Sequence, residues 1–271
     1  MNLLLHDATF KQIRDFIYDK SGIFIPDSKK YLVEKKLVAR IQERNLGGFD
    51  DYFNFVRYNT NVDELGKLFD AITTNETYFF REPQQLDVFA DTIAPGIVQP
   101  KAVKDLRLWS AACSTGEEPY TLSLLLTEKR ICSRSELIAS DISNEVLESA
   151  KKGAYGSYSM RNVPEGYLKK YFKSTGWAHE LDPAIRTSVK FMNMNLVDEV
   201  RMRSIREMDV IFCRNVLIYF DDKAKQKVVS HLYDSLKQGG WLFIGTSESL
   251  HSVTRAFKPV IINKVVVYQK A

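Results

Sequence analysis

The sequence predicts an α/β fold in which a mainly parallel β-sheet, with helices on both faces, follows an all-helical domain. The chain has 271 residues, 45% hydrophobic and 27% charged, a size and composition typical of a two-domain globular protein. Residues 1–90 show helical spacing of apolar side chains, whereas apolar strands alternate with helices from about residue 106 onward. Such alternation predicts a doubly wound sheet.

The N-terminal part, residues 1–90, is predicted to be a helical domain. Phe10, Ile13 and Ile17 recur at helical spacing, and Gly22 follows as a stop signal. Further helices are predicted at residues 27–45, 49–58 and 62–72.

A linker over residues 91–104 is predicted from the turn residues between Ala94 and Pro100, and the second domain then covers residues 105–271. Strands are predicted there at 106–112, 137–141, 210–213, 241–245 and 264–268, with helices at 119–130, 143–152 and 222–237. Residues 154–195 interrupt this alternation of strands and helices. Short stretches there, such as Ser188 to Met192, alternate apolar and polar side chains. We expect an inserted antiparallel β-subdomain there, at about residues 160–194.

Composition excludes several classes of function. The net charge of +4 is too small to make nucleic acid the expected partner. The three cysteines form no CxxC pair and are expected to be reduced, and the four scattered histidines do not indicate a metal site. The N-terminus lacks signal-peptide features, and no stretch approaches the ~18 apolar residues of a membrane span, so a cytoplasmic location is expected.

The first candidate site is the turn after the first predicted strand, in WSAACSTGEEPY. Ligands of doubly wound sheets lie at the carboxyl ends of the strands, against such turns. A phosphate-binding turn carries glycine or lysine, whereas this one carries Glu117 and Glu118, which suit a cationic ligand. The alternative is a helix start at which the two acids merely favour the positive end of the helix.

Two further strand ends carry polar side chains. Asp141 ends the second predicted strand, 25 residues after Gly116, where an acid commonly binds ribose hydroxyls; it is equally able to cap the next helix. Arg214 and Asn215 end another buried strand, and no Asn-Pro-Pro-aromatic signature of nucleic-acid methylation is present. The segment TTNETYFFRE at residues 73–82 reads either as a capped helix end or as a lid over the site.

Five segments of the chain together resemble the chemotaxis receptor glutamate methyltransferases of the CheR type. In chain order, they are TTNETYFFRE, WSAACSTGEEPY, ASDIS, NMNL and FCRNVLIYF. The resemblance covers roughly residues 10–270. It implies a class I S-adenosylmethionine-dependent methyltransferase domain of Rossmann-like fold, preceded by an all-α domain and carrying the inserted β-subdomain. The implied cofactor is S-adenosylmethionine, with S-adenosylhomocysteine as product and no metal. The implied partners are methyl-accepting chemoreceptors, with neither nucleic acid nor membrane insertion.

Site residues carry over from the resemblance by position. Contacts with the cofactor are implied for Asn75, Thr77, Arg81, Glu118, Asp141, Asn195, Leu196, Asn215 and Val216, and catalytic roles for Arg81 and Tyr219. Among them, Asp141 resembles the ribose acid, while Glu117 is a second choice for the role of Glu118. Asn195-Leu196 would frame the adenine, and Asn215-Val216 would line the methionine side, with Tyr219 facing the methyl group.

The implied chemistry needs little from the protein beyond placement. A glutamate side chain, with a pKa of about 4.3, is already ionised at neutral pH and needs no general base to attack a sulfonium methyl group. Alignment then contributes roughly 7–11 kcal/mol. The planar guanidinium of Arg81 suits a carboxylate, which belongs either to the substrate or to the cofactor.

A basic helix face in the N-terminal domain is the candidate docking surface. Lys29, Lys36 and Arg40 fall within about 40° of one another on a helix and are expected to contact an acidic receptor coiled coil, unless they are simply a solvated face. The inserted subdomain lacks a glycine-rich excursion, so we expect no dependence on a receptor's C-terminal pentapeptide tether.

Other functions remain alternatives. A signalling scaffold of the same fold would bind cofactor or receptor without turnover, although it would not need Arg81, Glu118, Asp141 and Asn215 together. A methyltransferase acting on nucleic acid would show a steep salt dependence. A nicotinamide dehydrogenase is disfavoured by the acidic turn.

Overall fold

The computed structural model describes residues 3–58, 62–98 and 106–271. Its helices are α1 (Asp7–Ser21), α2 (Lys30–Glu43), α3 (Phe49–Tyr58), α4 (Val62–Ile72), α5 (Pro83–Val88), α6 (Ala94–Ile97), α7 (Glu117–Glu128), α8 (Asn144–Lys152), α9 (Ser157–Met160), α10 (Glu165–Tyr171), α11 (Pro183–Thr187), α12 (Glu199–Met202) and α13 (Asp222–Ser235). Its strands are β1 (Leu106–Ala111), β2 (Ser135–Asp141), β3 (Ala154–Tyr155), β4 (Phe172–Ser174), β5 (His179–Leu181), β6 (Val189–Asn193), β7 (Met208–Cys213), β8 (Leu236–Ile244), β9 (Phe257–Ile262) and β10 (Val265–Lys270). No helix within these ranges is long and apolar enough to cross a membrane.

The main sheet has seven strands in the order β6-β2-β1-β7-β8-β10-β9. The first five are parallel, and β10 and β9 close the sheet as an antiparallel hairpin. The chain runs outward from β1 to β2 on one side and from β7 to β8 on the other. The order therefore reverses between β1 and β7, which is where doubly wound sheets bind their ligands.

Both faces of the sheet are buried, because successive side chains of a strand point to opposite sides. Leu108 belongs to the apolar cluster on one face, which includes the leucines of α7, and its neighbour Trp109 to the cluster on the other, with Leu232 of α13. All six residues of β7 are buried. The strand ends next to the reversal point are thereby held on a rigid support.

The N-terminal helices form their own apolar core around residues such as Ile13, Leu37 and Tyr52, and they also contact the sheet domain. Gly22 ends α1 in the left-handed conformation at φ 73°, and a Cβ atom there would lie only 2.7 Å from the Val197 side chain. Directly after this glycine, Ile23 forms a β-bridge with Phe220. The close approach brings the end of α1 to the carboxyl edge of the sheet.

Two side-chain contacts join the N-terminal helices to the sheet domain, on opposite sides of the carboxyl edge of the sheet. The Tyr18 hydroxyl of α1 donates to the Asp221 carboxylate, which caps α13. Asp70 of α4 accepts from the Ser143 hydroxyl at 2.7 Å and from the Glu145 backbone, at the start of α8. The helical layer thus spans the sheet edge from α13 to α8.

Three expectations from the sequence need correction. The predicted linker is wrong for residues 91–97, which continue the helix from Pro83 through a π-helical turn into α6; residues 99–104 lie outside the described ranges. The piece from Ser188 to Met192 is not part of an antiparallel insertion, because β6 pairs in parallel with β2 at the edge of the main sheet. Strand β9 was not expected. The inserted antiparallel sheet does exist, as β3-β5-β4, and the domain boundaries stay predictions.

Candidate functional site

A cavity opens at the carboxyl ends of β1, β2 and β7 and is walled on its outer side by residues 72–81 and the end of α1. Backbone strain concentrates around it. Ten non-glycine residues of the described ranges have positive φ angles, and half of them belong to segments that build this cavity: Phe80, Glu82, Ala112, Ser114 and Asn215. Strained backbone tends to collect at functional sites, where surrounding structure holds it in place.

Asp141 stands at the end of β2 and is held by backbone groups of two loops. The Ser114 N–H donates to Oδ2 at 2.9 Å, and the Ser143 N–H donates to Oδ1 at 3.0 Å. Burial raises the pKa of this carboxyl, and the two N–H groups oppose that effect. Each oxygen keeps a second lone pair. Asp141 therefore has acceptor positions left for ligand hydroxyls beside its structural contacts.

The neighbouring acids Glu117 and Glu118 face different surroundings. Glu117 points away from the cavity and accepts from the hydroxyls of Thr115 and Ser159 at 2.6 and 2.8 Å. Glu118 lines the cavity and accepts from the Ser110 hydroxyl at 2.7 Å. Burial raises the pKa of both carboxyls. Of the two, Glu118 alone is placed to face a ligand in this cavity.

Arg214 lies behind Glu118 with 2% of its side chain exposed. Its Nη2 donates to the Arg81 carbonyl at 2.8 Å, and its Nε lies 3.2 Å from Glu118 Oε2 in an ion pair without hydrogen-bond geometry. Neither Nε nor Nη1 has a hydrogen-bond partner among the described residues. Buried polar groups are rarely left unpaired, so this cluster is not satisfied by the protein alone.

Asn215 is fixed by two acids from other segments. Glu248, in the loop after β8, accepts from the backbone N–H groups of Asn215 and Gly245 at 2.9 and 2.7 Å, and from that of Ile218 at 3.3 Å. Glu82 accepts from the Asn215 side chain at 3.2 Å. A Cβ atom at Gly245 would lie 2.6 Å from Asn215 Nδ2 and 2.8 Å from Glu248 Oε2, so a larger residue there would displace both side chains.

The segment after α4 forms the outer wall and is anchored by Phe79 and Phe80, which are buried in the sheet domain. The Asn75 carbonyl accepts from the Ser114 hydroxyl at 3.1 Å, which fastens the wall to the turn after β1. Arg81 donates to the Glu76 carbonyl at 3.1 Å. TTNETYFFRE therefore starts as a capped helix end, where the Thr73 hydroxyl donates to the Phe69 carbonyl of α4 at 2.9 Å, and continues as an irregular wall attached at both ends.

The remaining predicted residues lie on the far side of the cavity. Asn195 uses its side-chain amide for the Lys20 carbonyl at 2.6 Å and so ties α1 to the loop after β6, while Leu196 is buried beside it. Val216 and Tyr219 come from the loop after β7. Burial raises the pKa of the Tyr219 hydroxyl, and the positive charge of Arg81 opposes this shift.

The cavity thus brings together all the residues expected at the cofactor and catalytic positions: Asn75, Thr77, Arg81, Glu118, Asp141, Asn195, Leu196, Asn215, Val216 and Tyr219. Their contacts with a ligand stay predictions. Sequence reasoning gave no role to Arg214, Glu82 or Glu248. A signal was available for Glu248, because it follows the carboxyl end of a strand in the same parallel sheet.

The predicted docking surface needs correction. Lys36 donates to the carbonyls of Ile72 and Thr73 at 3.1 and 2.7 Å, at the end of α4, and burial lowers its pKa. Arg40 binds Glu64 through both carboxylate oxygens. These two side chains hold the helical domain together, and of the predicted trio only Lys29 is exposed.

The cavity fits the cofactor implied by the sequence. Asp141 offers acceptors for ribose hydroxyls, and Glu118 offers a carboxylate for a positively charged group. Apolar side chains for an adenine ring come from Ile142, Met194 and Leu196. The turn after β1 carries acids where a phosphate-binding turn would present free N–H groups. Within the described ranges, no group of three or more His, Cys, Asp or Glu is arranged to hold a metal ion.

Comparison with known proteins agrees with this site. Residues 75–266 match the family described as CheR methyltransferase, SAM binding domain, and residues 8–73 match CheR methyltransferase, all-alpha domain. Chemotaxis protein methyltransferase 2 of Vibrio cholerae is 38% identical, over 99% of this chain and 94% of its own length. The chemotaxis protein methyltransferases of Borreliella burgdorferi and Escherichia coli are 33% and 34% identical, covering 92% and 94% of this chain and 91% and 89% of theirs. With both halves of the chain matched and the cavity fitting the cofactor, the protein belongs to the CheR family of S-adenosylmethionine-dependent methyltransferases.

Proposed function

We propose that this protein methylates glutamate side chains of chemoreceptor signalling domains and produces γ-methyl esters. One observation carries the proposal: a single cavity, at the point where the strand order of the sheet reverses, is lined by Asp141, Glu118, Asn215 and Arg81. The names of the relatives, which are chemotaxis protein methyltransferases, point to receptors as the methyl acceptors.

The inner half of the cavity is the cofactor side. S-adenosylmethionine, when bound, supplies an electrophilic methyl group on a sulfonium ion. Asp141 would accept hydrogen bonds from its ribose, Leu196 would contact its adenine ring, and Val216 would line its methionine side. Glu118, backed by Arg214, places a carboxylate near the cationic part. The acids at this edge outweigh the guanidinium groups of Arg81 and Arg214, which favours a cationic ligand.

The outer half is the side of the methyl acceptor. Arg81 and Tyr219 line it, and Arg81 holds the incoming carboxylate by a charge-assisted hydrogen bond. A glutamate carboxylate is ionised at neutral pH and needs no proton removed before it attacks. The protein's work is then to align the two groups and to exclude water, and the half-buried Tyr219 serves the second purpose.

Receptor contacts outside the cavity are also part of the proposal. Lys29 is the exposed cation of the originally predicted docking face, and we assign it a contact with an acidic receptor coiled coil. The hairpin of β4 and β5 closes tightly, with the Thr175 N–H donating to the Ala178 carbonyl at 2.8 Å. We propose that methylation proceeds without a pentapeptide tether. Tight binding of such a pentapeptide in a titration would contradict this.

The test is transfer of labelled methyl from S-adenosylmethionine to a purified cytoplasmic chemoreceptor fragment. The expected product loses its label in mild base, as a carboxyl ester does. Arg81→Ala is expected to lower transfer while S-adenosylhomocysteine still binds, if Arg81 holds the acceptor's carboxylate. Lys258→Ala, on the remote strand β9, is the matched loss of a cation and is expected to leave transfer unchanged. Binding of the cofactor with no transfer by the unaltered protein would contradict the proposal.

A further inference from the structure

Arg161, after α9, is held flat between two tyrosine rings. Its Cζ lies 3.5 Å from the ring centre of Tyr78 and 3.8 Å from that of Tyr158. Its Nη1 also donates to the Tyr158 carbonyl at 2.6 Å. Stacking restrains the guanidinium without itself using N–H groups, so donors remain available beside the one that binds the Tyr158 carbonyl.

The stack stands at the entrance of the cavity. Tyr78 lines the cavity, as does Glu76, whose carboxylate accepts from the Tyr158 hydroxyl at 2.6 Å. Arg81 contacts the same Tyr78 ring, with its Cζ 5.6 Å from the ring centre. One tyrosine thus separates a guanidinium inside the cavity from a second guanidinium, Arg161, at its rim.

Arg161 is held more closely than Arg57, another exposed arginine beside two aromatic rings, whose Cζ lies 5.7 and 5.3 Å from the ring centres of Phe53 and Tyr58. Among the described residues Arg161 forms no ion pair with a carboxylate, whereas the exposed Arg203 is paired with Glu199. An exposed guanidinium that is immobilised but unpaired has lost conformational freedom without gaining a counter-ion. It is therefore prepared for a carboxylate supplied by another molecule.

Apolar side chains are also exposed around the entrance of the cavity. Tyr158 is 56% exposed and Ile218 55%. Phe24, which is 53% exposed, donates its backbone N–H to the Tyr219 carbonyl and so lies on the same side as Ile218. Apolar side chains and a fixed cation around the entrance of one cavity form a surface complementary to an amphipathic, acidic segment.

We propose that the Arg161–Tyr78–Tyr158 stack docks an acidic side chain of the helical segment that carries the methylated glutamate. This inference rests on the proposed function and adds a second recognition point to it. Side chains three or four residues apart lie on one face of a helix, about 5–6 Å apart between Cβ atoms. While one carboxylate enters past Tyr78 toward Arg81, another on the same helix face binds Arg161.

Esterification removes the negative charge that this contact needs. An acceptor whose neighbouring glutamate has already been methylated is therefore a poorer substrate at the next site. The stack would make methylation sensitive to the charge state of adjacent sites on the same receptor helix.

The test compares methyl-transfer kinetics of the unaltered protein and Arg161→Gln at varied concentrations of a purified chemoreceptor signalling fragment. The expected result is about a fivefold higher KM for the fragment, with kcat and the Kd for S-adenosylhomocysteine changed less than twofold. Arg203→Gln, which removes an exposed arginine far from the rim, is the control and should leave KM unchanged. A Glu→Gln substitution three or four residues from the methylated glutamate should raise KM similarly, and should have little further effect in Arg161→Gln.

An unchanged KM for Arg161→Gln, with active unaltered protein, overturns the inference and leaves the proposed function standing. A fall in kcat or in cofactor affinity with KM unchanged also overturns it, because the residue then acts on the cofactor site. Absence of methyl transfer by the unaltered protein, with S-adenosylhomocysteine bound, instead contradicts the proposed function.

Discussion

Two clusters of buried charge in this protein have opposite character. In the helical domain, Glu64 is 1% exposed and receives hydrogen bonds from Arg40, Arg44 and Tyr52. At the cavity, Glu118 has an imperfect ion pair with Arg214, whose Nη1 lacks a hydrogen-bond partner among the described residues. A fully satisfied buried network rigidifies a fold, whereas an incompletely satisfied one beside a cavity indicates a ligand site.

The same distinction separates Glu117 from Glu118, although they are adjacent in the chain. Glu117 has hydroxyl donors on both carboxylate oxygens and faces the interior, while Glu118 faces the cavity. Burial alone does not identify a functional acid, since the pKa of each is raised by burial. A functional acid is identified instead by the direction in which its carboxylate points and by the polar groups around it that lack hydrogen-bond partners.

The largest expected effect is on stability. Glu64→Ala leaves two arginines without their shared counter-ion and should lower the free energy of unfolding by about 3–5 kcal/mol, measured by urea denaturation. Glu43→Ala removes the exposed partner of Arg40 and should cost less than about 1 kcal/mol. Similar losses for the two variants would show that the buried Glu64 network stabilises the fold no more than an exposed ion pair does.

Asp141→Asn should act on binding more than on folding. An amide cannot accept from both the Ser114 and Ser143 N–H groups, so we expect a loss of about 1 kcal/mol in the free energy of unfolding. The affinity for S-adenosylhomocysteine should fall tenfold to a hundredfold, as expected from losing charge-assisted bonds of about 1.5–3 kcal/mol. Calorimetry that shows unchanged affinity would remove Asp141 from the ribose site.

Glu118→Gln and Glu117→Gln form a matched pair in one helical turn. Glu118→Gln should weaken S-adenosylmethionine binding about tenfold, the effect of one charge-assisted contact of about 1.4 kcal/mol. Glu117→Gln should leave it unchanged, because the hydroxyls of Thr115 and Ser159 rotate to suit an amide. Equal effects of the two substitutions on the Kd would contradict the assignment of Glu118 to the ligand.

The smallest expected effect is a pH dependence. Burial raises the pKa of Asp141 and Glu118 above their ordinary values of 3.8 and 4.5, so in the absence of cofactor both acids take up protons at a higher pH than an exposed carboxyl does. Affinity for the cationic cofactor should therefore weaken severalfold as the pH falls toward these raised values. Without cofactor, the stability of the fold depends on pH in the opposite direction. The folded state binds protons at these groups more tightly than the unfolded state does, so the groups make the protein less stable as the pH rises through that range.

That opposition is itself measurable. Titration calorimetry with S-adenosylmethionine and urea unfolding, both from pH 8 to pH 5, measure the two effects. As the pH falls, the affinity should decrease, whereas the contribution of these two carboxyls to the free energy of unfolding should increase. Affinity that rises as the pH falls would show that the negative charge of these two carboxylates does not favour cofactor binding.

Much of the site was predictable because it depends on local order. Polar residues at Asp141, Glu118 and Asn215 follow buried strands, and parallel strands bring their carboxyl ends to one edge whatever the details of packing. Their positions in the cavity follow from that rule. Helices such as α3 and α4 were predictable because each has a clear apolar face.

The rest depends on tertiary partners that spacing does not reveal. Lys36 and Arg40 read as an exposed basic face, but their partners lie at the end of α4 and at Glu64, both in a helix further along the chain. Strand β6 read as part of the insertion because an edge strand of the main sheet alternates like an antiparallel one. Glu248 gains its role only when β8 pairs beside β7.

The most direct test of this account is a crystal structure of the protein with S-adenosylhomocysteine. The account predicts ribose hydroxyls within hydrogen-bond distance of Asp141, the amino-acid part of the ligand beside Glu118 and Asn215, and an unchanged cluster around Glu64. A ligand bound elsewhere, or bound with its ribose away from Asp141, would contradict the assignment of the incompletely satisfied cluster to the cofactor.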